Sequence, residues 1–180
     1  MKKLCVLFPG IGYNCDKPLL YYTGKMFKKA GYDVIRLSYS GFPEGAKGND
    51  EKMRLCAEHA YEQSVGQLRL AGLDKYDRVV FVGKSIGTVV CARLRQEVCP
   101  EAVCIFMTPL EVTFSFGAGV CAFTGTADPW AETEKIKDLC GRTGTPLKIY
   151  EGADHSLETG DTENDLAQLL DVLREVKHYI

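Results

Sequence analysis

Short apolar runs alternate with longer stretches of helical period along the whole chain. Residues 4–8 form a continuous apolar run stopped by Pro9 and Gly10, the pattern of a buried strand. Residues 18–30 come next, with Pro18 in the first turn and Leu19, Tyr22, Met26 and Ala30 recurring on one face. That spacing predicts a helix ended by Gly31. Residues 33–38 read as a second strand, 40–49 as a Gly/Pro-rich loop and 51–70 as a second helix ended by Gly72. Residues 78–82 are the most apolar strand, as expected of one covered on both faces. A helix over Ile86–Glu97, strands over 102–107 and 119–123, a helix over 130–140, a sixth strand over 146–150 and a helix over 163–178 complete the pattern. Thr162 and Asp165 have the spacing of a capping box for the last helix. Its apolar stripe is Leu166, Leu169, Leu170, Leu173 and Val176.

Strands joined by helical crossovers predict a mostly parallel sheet with helices on both faces, a three-layer α/β/α sandwich. Only residues 108–118 separate the fourth and fifth strands. That is barely enough for a crossover and too few for an inserted lid. No repeat, low-complexity stretch or linker divides the 180 residues, which read as one domain, 1–180.

Composition narrows the function without naming it. Apolar residues make up 46% and charged residues 26%, and the net charge is −2 with the two signs interspersed. This balance argues against a nucleic-acid footprint or a polybasic membrane surface. No apolar run is long enough to span a bilayer, and the N-terminus lacks a secretory h-region, so the expected location is cytoplasmic. Of the eight cysteines, Cys5, Cys104 and Cys121 fall in strands and Cys91 in a helix, where each behaves as a small buried hydrophobe. No Cys-x-x-Cys pair or zinc-finger spacing occurs, so no metal is expected. Gly10 and Gly12 lack the third glycine of a dinucleotide fingerprint, so no cofactor is expected either. The expected partner is a small-molecule substrate, and nothing in the pattern specifies an oligomeric state.

Residues 83–87 form a G-x-S-x-G motif centred on Ser85, preceded by a strand and followed by a helix. A nucleophile elbow needs this context, because the sharp strand-to-helix turn lifts the serine Oγ above the sheet. A plain Gly-rich turn with a helix-capping serine would look the same locally. Serine needs a base, and only three histidines exist. His59 lies on a helix and His178 near the C-terminus. His155 lies in the loop after the sixth strand, on the same sheet edge as Ser85, where sites form in open parallel sheets. The imidazole needs an acid. Asp128, after the fifth strand, is preferred over Asp154, because adjacent side chains rarely aim at each other and Asp154 suits a loop cap. Asp128 is also placed to cap the helix before Pro129. An oxyanion needs two N–H donors. The amide of Ile86 is one, and the loop after the first strand supplies the other from Ile11 or Gly12. Lys84 is expected to point away from the pocket in a structural role. Phe114, Phe116 and Trp130 are placed either to line the site or to sit in the core.

The whole chain resembles the α/β-hydrolase superfamily, in particular its small lidless members related to dienelactone hydrolase-like and esterase/lipase-like proteins. The resemblance rests on residues 8–12, 83–87, 125–128 and 152–155, in the order Ser, Asp, His. It implies a minimal six-stranded α/β-hydrolase fold without a cap, strand order 2-1-3-4-5-6, and a catalytic set of Ser85, Asp128 and His155 with oxyanion amides from Ile11 and Ile86. The usual His-Gly oxyanion pair is Pro9-Gly10 here, and the chain starts at what resembles the family's third strand. The implied activity is hydrolysis of a small carboxylic ester or thioester. The alternative is a non-catalytic scaffold that binds a ligand or protein. Lacking a cap, the site should be shallow, walled by Ile11, Tyr13, Ile86, Leu110 and Trp130, and should favour short acyl groups.

Overall fold

In a computed structural model that describes residues 1–46 and 48–180, the strands are β1 (Lys3–Phe8), β2 (Asp33–Arg36), β3 (Arg78–Lys84), β4 (Val103–Met107), β5 (Cys121–Gly125) and β6 (Leu147–Tyr150). They form one sheet in the order β2-β1-β3-β4-β5-β6, every neighbouring pair parallel. The helices are α1 (Pro18–Lys29), α2 (Asp50–Ala71), α3 (Ile86–Glu97), α4 (Thr133–Thr143) and α5 (Thr162–Val176). Lys47, within the loop expected over 40–49, lies outside the described residues.

The two-residue period of the strands divides the core into two layers. Leu4, Val6, Phe8, Phe81 and Phe106 face α2, α3 and α4 through Ala60, Val90, Leu94 and Ile136. Cys5, Leu7, Val80, Val82 and Met107 face α1 and α5 through Leu20, Phe27, Val172 and Val176. Both faces are covered, which is why the central strands read as unbroken apolar runs. Cys5, Cys91, Cys104 and Cys121 are all buried. The short β4–β5 connection makes its crossover with a 3-10 helix, Glu111–Phe116. That segment packs on α3.

Several boundaries differ from expectation, two of them for reasons visible in the structure. The N-cap of α5 is Asp161, whose carboxylate accepts the Asn164 N–H at 2.9 Å, so Thr162 is the first helical residue rather than the cap. Asp165 instead accepts from the Thr159 N–H and hydroxyl, tying the preceding loop to the helix. The fourth helix begins at Thr133, because Trp130 is held in a turn by Asp128.

Candidate active site

β3 ends in a turn that leaves Ser85 at φ 57°, ψ −124°, a conformation that a non-glycine residue adopts only where its surroundings enforce it. The Ser85 N–H donates to the Met107 carbonyl at 3.0 Å, and its own carbonyl accepts from the Thr88 N–H at 2.8 Å and the Thr88 hydroxyl at 2.6 Å. The turn is close-packed. A Cβ on Gly83 would lie 2.5 Å from the Gly87 carbonyl oxygen. The sharp strand-to-helix reversal therefore has room only for glycine there.

The loops after β5 and β6 are laced together above the same sheet edge. Thr126 N–H donates to the Tyr150 carbonyl at 3.0 Å, Ala127 N–H to the Ala153 carbonyl at 2.9 Å, and Gly152 N–H to the Thr126 hydroxyl at 2.8 Å. This lacing sets Asp128 and His155 in register. His155 Nδ1 lies 2.6 Å from Asp128 Oδ2, and Nε2 lies 2.7 Å from Ser85 Oγ. An ionised carboxylate only accepts, so Nδ1 carries the proton and Nε2 is left to accept from the serine hydroxyl. The Asp128 side chain is fully buried. Its other oxygen accepts the Trp130 N–H at 2.8 Å, so it serves the turn and the imidazole together. Asp154 accepts the N–H groups of Ser156 and Glu158, the loop-capping arrangement. Among the histidines, His59 and His178 are exposed.

Gly10 and Tyr13 pair through two backbone hydrogen bonds, leaving Ile11 and Gly12 at the tip of the turn. This loop abuts Ser85, since a Cβ on Gly10 would lie 3.0 Å from Ser85 Cβ. Ile86 opens α3, so its amide belongs to the first turn, where N–H groups lack intrahelical acceptors. The alternation along β3 turns Lys84 to the side of Val80 and Val82, where its ammonium lies 4.8 Å from the centre of the Tyr13 ring. Lys84 is buried on that side of the sheet and is among the residues that border the cavity around Ser85. The Tyr13 hydroxyl accepts the Leu19 N–H at 3.1 Å, so only its ring is presented to the site.

Burial holds the His155 imidazole below its ordinary 6.5, and the charge of Lys84 pushes the same way. The Asp128 and Asp154 carboxylates oppose them.

Ser85 and His155 open into a cavity of about 850 Å³. Ile11, Gly12, Tyr13, Ile86, Leu110 and Trp130 all line it, as does Phe116, whereas Phe114 is buried against Phe106 in the core. The cavity reaches beyond the walls expected from the sequence. It continues between α2 and α3 along Met53, Ala57 and Tyr61, so a helix of the basic fold supplies the missing wall. Among the described residues, no helix is long and apolar enough to cross a membrane, and no group of three His, Cys, Asp or Glu side chains is placed to hold a metal ion.

No family model and no curated protein matches the chain. Solved structures do. Est1E from Butyrivibrio proteoclasticus, also solved with ferulic acid bound, superposes with a TM-score of 0.73 at 11% identity, covering 99% of this chain and 86% of the other. A lidless α/β serine hydrolase from Xanthomonas campestris gives 0.65 at 14% identity, over 99% and 82%. A putative α/β-superfamily hydrolase from the same organism gives 0.71 at 14%, over 98% and 96%. The chain has the α/β-hydrolase fold, in the small form without an inserted lid.

Proposed function

We propose that this α/β-hydrolase scaffold is a serine hydrolase that cleaves a small carboxylic ester or thioester through an acyl-enzyme on Ser85. The observation that carries the reading is the continuous chain from Ser85 Oγ through His155 to the buried Asp128, at 2.7 and 2.6 Å, behind a strained elbow. A binding module has no use for all three groups in that geometry. The solved structures of similar fold include an esterase from Pyrococcus furiosus and Est1E with ferulic acid bound, which supports a small-molecule acyl substrate. The cysteines carry no disulfide, which fits a reducing, cytoplasmic setting.

In this mechanism His155 takes the Ser85 proton as Oγ attacks the carbonyl carbon, and the oxyanion that forms accepts from the amides of Ile86 and of Ile11 or Gly12. Asp128 fixes the Nδ1–H tautomer and stabilises the imidazolium. The imidazolium then gives its proton to the leaving oxygen or sulfur, and the acyl group remains on Ser85. Water, deprotonated by His155, releases the acid and restores the serine.

The reading is tested by the pH dependence of p-nitrophenyl acetate hydrolysis between pH 4 and 9. Only the neutral ring can accept the proton, and burial favours the neutral ring, so kcat/KM should rise with pH and level off with a midpoint below 6.5. A midpoint above 6.5, or a profile with no rise, contradicts a buried histidine base.

A further inference from the structure

We infer that the cavity's extension along α3 is an acyl-binding groove that selects an uncharged acyl group of medium length. The inference rests on the hydrolase reading, because it takes Ser85 as the point of cleavage. Ile86, Val89 and Val90 form the floor, spaced i, i+3, i+4 so that they share one helix face. Met53 and Ala57 of α2 form one wall, also one turn apart, and Val112 and Phe116 of the 3-10 segment form the other. All these side chains are apolar.

Direction follows from the chemistry. His155 must protonate the leaving atom, so the leaving group lies on the histidine side, by Trp130 and Ser156, which border the same cavity. The acyl group then extends the other way, along the side of α3 that faces α2. From Ile86 to Arg93 is seven residues, about 10 Å at a rise of ~1.5 Å per residue. At a C–C bond length of ~1.5 Å, that accommodates roughly eight carbons in an extended chain.

Arg93 closes the far end. Its guanidinium stacks on the Tyr61 ring at 3.9 Å and donates to both oxygens of Glu58 at 2.9 Å and to Glu97 at 2.9 Å. The Tyr61 hydroxyl donates to Glu97 at 2.6 Å. One guanidinium is thus shared by two carboxylates. Arg93 therefore brings no unshared positive charge to this end, and Glu58, which also borders the cavity, adds a negative one. Such an end wall rejects a terminal carboxylate. It also stops the apolar lining, so methylenes beyond it gain no wall to bury against.

A p-nitrophenyl ester series from acetate to dodecanoate tests the groove directly. The expected kcat/KM rises two- to fourfold per added methylene, the upper figure being full burial, peaks near eight carbons and falls by twelve. The p-nitrophenyl hemi-ester of the eight-carbon dicarboxylic acid should be at least tenfold poorer than octanoate. Ala57→Trp, which fills the wall, should lower the octanoate-to-acetate ratio at least tenfold. A steady fall beyond four carbons overturns the groove, and so does an unchanged ratio in folded Ala57→Trp. Should wild type turn over none of the esters, binding to Ser85→Ala separates the two ideas. Octanoate binding at least tenfold tighter than acetate keeps the groove and removes the hydrolase reading, whereas equal binding removes the groove.

Discussion

Ser85→Ala is expected to lower kcat for p-nitrophenyl acetate by about 10⁴- to 10⁶-fold, because the acyl-enzyme route closes and only binding and the oxyanion amides remain. The protein should stay folded. Among the described residues the one side-chain hydrogen bond of Ser85 Oγ is to His155, while the elbow is held by backbone bonds to Met107 and Thr88. His155→Ala should cost nearly as much, and the double substitution little more than either one. Side chains that act in one proton transfer cannot each be lost twice. Strictly multiplicative losses in steady-state kinetics would mean that Ser85 and His155 serve separate steps, and the relay from Oγ to Asp128 would then be wrong.

The largest structural effect is expected at Gly87. A Cβ there would lie 2.1 Å from the Phe8 carbonyl oxygen and 2.8 Å from that of Pro9. Both are backbone atoms, Phe8 at the end of β1 in register with Gly83 of β3 and Pro9 directly after it, so neither swings aside as a side chain would. α3 would have to lift from the sheet, carrying Ile86 away from the elbow. Gly87→Ala should therefore destabilise the protein by about 3 kcal/mol, the upper range for overpacking a well-filled interior. Gly66, exposed in the middle of α2 with nothing within 4 Å of its built Cβ, is the control. Gly66→Ala should stabilise by about 0.5–1 kcal/mol through helix propensity and lost unfolded-state entropy. Urea unfolding measures both. A Gly87→Ala protein within 0.5 kcal/mol of wild type would contradict the close approach of α3 to β1.

These contrasts show how far the chain can be read in advance. The parallel sheet with helices on both faces was legible because residues 4–8 and 78–82 carry unbroken apolar runs and strands alternate with helices, whereas the strand order followed only from the resemblance. The elbow was legible because G-x-S-x-G sat between a strand and a helix. The junction at Asp161 was not, because Thr162 and Asp165 mimic a capping box and the competing carboxylate one residue earlier wins the first turn. The wall formed by α2 was not legible either. Met53, Ala57 and Tyr61 follow an ordinary helical spacing, and only the crossing of α2 over α3 turns that face toward Ser85. Lys84, read as pointing away from the pocket in a structural role, is buried by the pleat of β3 with Val80 and Val82, its ammonium over Tyr13, a placement set by strand pairing rather than by the motif. Phe114 and Phe116 could not be told apart by sequence, since a 3-10 turn decides which ring meets Phe106 and which meets the cavity.

The central claim is that Ser85 is an activated nucleophile, and covalent labelling tests it without a known substrate. Incubation of the wild-type protein with a fluorophosphonate, followed by intact-mass and peptide mass spectrometry, should show a single adduct on Ser85. The adduct should form more slowly as the pH falls and His155 takes up a proton, and it should be absent in Ser85→Ala and in His155→Ala. An unlabelled wild-type protein, or an adduct on another residue that persists in Ser85→Ala, would contradict the account.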